Sequence, residues 1–135
     1  MKQLLLICAV VVGQSVLAAD KKPLTKEEQA KLIENAIRYQ LKKPTGELTK
    51  ADLEKVTKLY LNSKILTEVP KGLKKLTQLT VLDLGNNQLT DVKGLEKLTQ
   101  LTRLNLAINP ALTKAQIDEL QKALPKCYIY SNPTK

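Results

Sequence analysis

Leucine recurs at a fixed interval through the second half of the chain. Leu76, Leu79, Leu82 and Leu84 are followed 22 residues later by Leu98, Leu101, Leu104 and Leu106. Leu89 and Leu112 extend the two copies, and Asn87 and Asn109 take the same place in each. A looser copy precedes them, through Leu53, Val56, Leu59, Leu61, Leu66, Val69 and Leu73, with Lys64 where Asn is expected. A partial copy follows at Cys127, Ile129 and Asn132. Strand starts are therefore expected at 59, 82, 104 and 127. Self-similarity at this period constrains the fold to stacked units, none of which can bury its apolar face alone.

The spacing also assigns local structure. Leu-x-Leu places neighbouring side chains on opposite faces, which is strand periodicity. Each strand is expected to pair in parallel with its predecessor while the rest of the coil returns along the outside. That return must satisfy its backbone groups without a sheet. An Asn amide both donates and accepts, so a buried Asn can serve several of them. Lys64 cannot accept, and the first coil is expected to be irregular there.

The flanks carry helix signals. Thr25 with Glu28, and Thr49 with Asp52, have the spacing of capping boxes. Ala30, Ile33, Ala36, Ile37 and Leu41 form a stripe at helical spacing, and Pro44 with Gly46 ends that helix. Thr113 opens a third helix with Ile117, Leu120, Ala123 and Leu124, stopped by Pro125. The expected layout is a signal peptide over 1–18, a linker over 19–24, an N-terminal helical cap over 25–56, repeats with a C-terminal helix-strand cap over 57–132, and a tail over 133–135. The signal rests on Lys2, the apolar run 4–12 and the small residues around Ala18 and Ala19. The run is shorter than the roughly 20 residues a membrane-spanning helix needs.

Composition narrows function. Cleavage within this segment removes one charge, Lys2, so the net charge falls from +9 to +8. His, Trp and Phe are absent, and the only serines beyond the signal are Ser63 and Ser131. General acid–base chemistry needs a matched second group, and Asp83 has no obvious acidic partner across the strands. No enzyme activity, cofactor, metal or small-molecule substrate is expected. Cys127 is the one cysteine beyond the signal. It is expected to be a small buried hydrophobe. Nucleic acid fits poorly with export, and no aromatic-basic groove is visible.

The segments LTQLTVLDLGNNQLTDVKGLEK and LTQLTRLNLAIN resemble the leucine-rich repeat family, and the 22-residue length is similar to its bacterial internalin-like class. The resemblance implies an α/β fold: a short, curved solenoid with parallel strands on the concave face and an N-terminal helical cap. It also implies a protein-binding module. Residues flanking the buried leucines would then form three concave rows. The first is Lys58, Val81, Arg103 and Lys126. The second is Tyr60, Asp83, Asn105 and Tyr128, and the third is Asn62, Gly85, Ala107 and Tyr130. Tyrosine and arginine are favoured interface anchors. Lys58, Tyr60, Asp83, Arg103, Asn105, Lys126, Tyr128 and Tyr130 are therefore the candidate partner-binding residues. The expected function is an exported, non-enzymatic module, monomeric, that contacts a protein through this face. The alternative is a basic envelope-binding protein that uses its lysines on anionic lipid or polymer.

Overall fold

The computed structural model describes residues 24–132, so the signal segment and the tail lie outside the described residues. Four three-residue strands form the sheet: β1 (Lys58–Tyr60), β2 (Val81–Asp83), β3 (Arg103–Asn105) and β4 (Tyr128–Tyr130). They lie side by side in chain order, and every pairing is parallel. Their central residues, Leu59, Leu82, Leu104 and Ile129, share one register and point into the core. Leu61, Leu84 and Leu106 continue that inward row. The returns are short 3-10 turns at Lys71–Lys75 and Leu95–Lys97 after β1 and β2, and helix α3 (Lys114–Ala123) after β3.

Each coil is closed by side chains that substitute for sheet hydrogen bonds. Asn87 is buried and makes five. Its Oδ1 accepts from the Lys64 and Leu66 amides at 2.9 and 3.0 Å. Its Nδ2 donates to the carbonyls of Leu61, Leu84 and Gly85. Asn109 repeats the role one coil later, accepting from Leu89 and donating to Leu84, Leu106 and Ala107. Ahead of the strands, Thr80 and Thr102 donate their hydroxyls to the Thr57 and Thr80 carbonyls.

The first coil is irregular where Lys64 replaces Asn. Ser63, Asn86 and Ile108 occupy equivalent turns with left-handed φ, but coil one adds a second such residue, Ile65 at φ 60°. A β-branched side chain is costly there. Lys64 offers no amide oxygen or nitrogen to hold the turn as Asn87 does.

The N-terminal end is covered by helix α1 (Lys26–Leu41) and the short α2 (Lys50–Leu53). Thr25/Glu28 and Thr49/Asp52 form reciprocal capping boxes, as their spacing implies. The buried stripe of α1 is Gln29, Ile33 and Ile37, whereas Ala30 is exposed and Ala36 and Leu41 are half-buried. Gln29 is tolerated inside because its Nε2 donates to the Leu24 carbonyl at 3.1 Å. Arg38 ties the following loop to α1, donating to Glu34 and to the carbonyls of Lys43 and Gly46. Lys43 pairs with Asp52 at 2.7 Å. That contact, with the Thr49 amide, lowers the Asp52 carboxyl to about 2.

The last strand departs from the expected register. Leu104 pairs with Ile129 rather than Cys127, and Asn105 with Tyr130 rather than Tyr128. The cause is α3 and the turn after it, which take two to three more residues than a plain return. A slip of two keeps every side chain on its own face, so Cys127 stays buried, now in the bend before β4. Burial pushes its thiol pKa up.

Two outcomes follow for stability. Asn87→Ala strands two coil amides and three carbonyls, and is expected to cost about 3–5 kcal/mol, against about 2–3 for Asn109→Ala. Urea denaturation of the two variants measures that order. Because the Asp52 carboxyl is depressed in the folded state, its stabilisation is full above the ordinary Asp value of 3.8 and fades as pH falls towards about 2. Acid titration of Asp52→Asn should therefore show a shallower loss across that window than the parent.

Candidate functional site: the concave face

Residues on either side of each inward leucine face outward from the sheet, so the register decides which of them meet. The first row is Lys58, Val81, Arg103 and Tyr128. The second is Tyr60, Asp83, Asn105 and Tyr130. Lys126 drops out of the first row because it lies in the turn ahead of β4, and both tyrosines of β4 move up one row. The third row keeps Asn62, Gly85 and Ala107.

The centre of the face is rigid. Asp83 Oδ1 accepts from the Gly85 amide at 2.9 Å and from Asn105 Nδ2 at 3.0 Å. Asn105 Oδ1 in turn accepts from the Ala107 amide at 3.0 Å. Both side chains thus fold over the backbone two residues ahead, a local turn that Asp and Asn favour. Gly85 leaves room for this. A Cβ there would stand 2.8 Å from Asn105 Nδ2.

Around that centre the aromatic posts are free. Tyr60 is 46% exposed, Tyr128 67% and Tyr130 54%. Strands lie about 4.8 Å apart, so Tyr60 and Tyr130 stand roughly 14 Å apart across the Asp83–Asn105 pair. Lys58 and Arg103 are exposed, and neither belongs to an ion pair among the described residues. The surface therefore offers aromatic area, two free cations and a fixed carboxylate–amide pair. It has the makings of a recognition surface.

Three features were not visible in the spacing. One is the Asp83–Asn105 bond: the spacing sets the two side by side but not which atoms meet. Ile108 carries a left-handed φ of 59° and is 58% exposed at the end of the coil after β3. Its sequence hint is a β-branched residue beside the repeated Asn position, Asn109, where coil two has Asn86. Finally, a groove of about 590 Å³ lies between α1, the segment before α2 and the first 3-10 turn. Ile33, Ile37, Leu48 and Val69 line its floor, while Lys71, Lys75, Glu47 and Glu68 lie along it. The mixed signs select no ligand class.

Replacing Ile108 with Asn should relieve the left-handed strain at little loss of burial. Ile108→Asn is expected to raise stability by about 1 kcal/mol in urea denaturation.

A family model for leucine-rich repeats in two copies matches residues 54–97 and 77–122, together more than half of the chain. Among solved structures, the chain is similar to an internalin (InlF) from Listeria monocytogenes. The two are 25% identical with a TM-score of 0.60, over 77% of this chain and 31% of that one. It is also similar to a leucine-rich repeat protein from Leptospira interrogans, 36% identical with a TM-score of 0.51, over 61% of this chain and 21% of that one. The chain therefore spans less than a third of the length of either. No curated protein matches it. With its repeats, its parallel sheet and its Asn-closed coils, the chain belongs to the leucine-rich repeat family, in the bacterial internalin-like class.

Proposed function

We propose that the chain is an exported, non-enzymatic module that binds a protein partner through its concave face. The observation that carries this is the exposure of Tyr60, Tyr128 and Tyr130 on the face that also holds Arg103 and the fixed Asp83–Asn105 pair. Tyrosine supplies contact area and a hydrogen bond at small entropic cost, and arginine supplies directed charge. A rigid surface loses little conformational freedom on binding. The leucines beneath hold these groups in place and take no direct part. Export is inferred from the sequence of residues 1–18, with cleavage after Ala18 or Ala19. No helix among the described residues is long and apolar enough to cross a membrane.

A second reading keeps the return side in play. Lys71, Lys74, Lys75, Lys93 and Lys97 are all exposed and make no ion pair among the described residues. A basic surface of this kind suits anionic lipid or polymer. Salt separates the two, since screening weakens a diffuse ionic contact far more than an aromatic one.

The test is capture from an envelope extract with the mature protein as bait, read by mass spectrometry. Tyr60→Ala combined with Arg103→Ala should reduce capture of a specific protein at least about tenfold, as loss of an interface hot spot does. The melting temperature should not change. Capture that survives the double substitution but disappears at high salt would transfer the function to the lysines.

A further inference from the structure

Among the described residues β4 is the outermost strand of the sheet, and its outer edge presents one complete donor–acceptor pair. The parallel register turns the backbone groups of Tyr128 and Tyr130 towards β3. Tyr128 donates its amide to the Thr102 carbonyl at 2.8 Å, and the Tyr130 carbonyl accepts from Leu106 at 2.7 Å. Alternation along the strand therefore turns the Ile129 N–H and C=O away from β3. The residue before the strand is already satisfied. Cys127 donates to the Leu124 carbonyl at 3.1 Å, and its own carbonyl accepts from Gln121 Nε2 at 2.8 Å. The open edge is thus centred on Ile129. Unpaired edge groups of this sort are a template for another strand.

The side chains at that edge have the same centre. Ile129 is the last inward side chain, and it stays half-buried where Leu59, Leu82 and Leu104 are fully buried. On the concave side Tyr128 and Tyr130 are the most exposed tyrosines of the sheet. The strand reads Tyr-Ile-Tyr, the same in both directions, so an antiparallel partner that matches it best is the strand itself.

We propose that β4 pairs antiparallel with β4 of a second copy, about a two-fold axis through Ile129. The two Ile129 residues exchange both N–H···O bonds, as an antiparallel hydrogen-bonded pair does. Tyr128 of each copy faces Tyr130 of the other on the concave side, a favourable cross-strand aromatic pair. The two Ile129 side chains meet on the core side and cover the surface that each leaves half-exposed. Lys126 falls opposite Asn132 of the second copy, so no two lysines face each other. The axis is normal to the sheet, which joins the two concave faces into one eight-stranded surface. Such an interface uses the same patch on both copies. It does not depend on the partner-binding reading above.

Two magnitudes set its character. A three-residue strand gives an interface at or below the lower end of the specific range, about 1,200 Å², so the dimer is weak. Each copy also carries a net charge of +8 after loss of Lys2, and the mutual repulsion is screened by salt. Sodium chloride therefore strengthens this association, whereas it would weaken pairing with an acidic strand.

Sedimentation equilibrium of the mature protein, from about 10 μM to about 1 mM, tests this because weak interfaces of this size populate only at such concentrations. The expected result is a monomer–dimer equilibrium that tightens with added sodium chloride, with slowed amide exchange at Ile129 in the dimer. Ile129→Pro removes the outward donor without touching a bond to β3, and should leave a folded monomer. Tyr128→Lys places charge on the aromatic pair and should do the same, which keeps the test open if the proline variant fails to fold. A monomer at every concentration overturns the proposal. So does a dimer that persists in Tyr128→Lys, or one that dissociates as salt rises. Ile129→Pro changes no side chain of the outward rows, so capture of a protein partner through Tyr60 and Arg103 should survive in that variant while the dimer is lost. Tyr128→Lys is read for dimerisation alone, and failure of one reading leaves the other standing.

Discussion

A coil of this repeat can turn back on itself only if the backbone groups at its corners find partners, and the buried Asn amides provide them. Asn87 joins five backbone groups from two coils, and Asn109 joins four from the next pair. Leaving those groups without partners would cost about 1–3 kcal/mol each, a large share of what a single coil's leucines recover. The leucine stack therefore depends on the asparagines. Where the amide is missing, at Lys64, the chain adopts an extra left-handed residue at Ile65, and the amide of Lys64 borrows the Asn of the next coil.

The same arrangement explains why the concave face is stiff. Strands of three residues would be mobile alone. Here each is pinned by its neighbours, by the inward leucines, and by the Thr57–Thr80–Thr102 hydrogen-bond line ahead of them. Asp83 and Asn105 add a second, outward line of bonds. Side chains between them are presented on a nearly fixed template, so any contact made there would cost little conformational freedom. The helices have other work. α1 and α2 cover the first coil, and their capping boxes, with Arg38 and the Lys43–Asp52 pair, hold a segment whose own apolar stripe is narrow.

Much of this was legible in the residues. The leucine spacing marks the strands at 59, 82 and 104 because those positions point into the core and bury an apolar side chain. The capping residues Thr25, Thr49 and Thr113 open their helices because a hydroxyl acceptor at that place satisfies the first free amides. Gln29 was not legible as a core residue, since its burial depends on a carbonyl five residues earlier. The composition of the concave rows was legible for three strands and mistaken for the fourth. Counting residues cannot register how much chain a helix and its exit turn consume, and α3 with its exit turn takes two to three more than a plain return.

The sequence by itself therefore determined the repeat, the inward leucines, the helix starts and the set of side chains available to the concave face. These follow from local periodicity and from the chemistry of single residues. Only the tertiary structure decided which of those side chains stand together at the fourth strand, and which of them bond. It moved Tyr128 beside Arg103 and Tyr130 beside Asn105, took Lys126 off the face, joined Asp83 to Asn105, and left Ile129 at an open edge. Those are properties of strand pairing, and pairing is settled by backbone hydrogen bonds between coils that lie more than twenty residues apart in the chain.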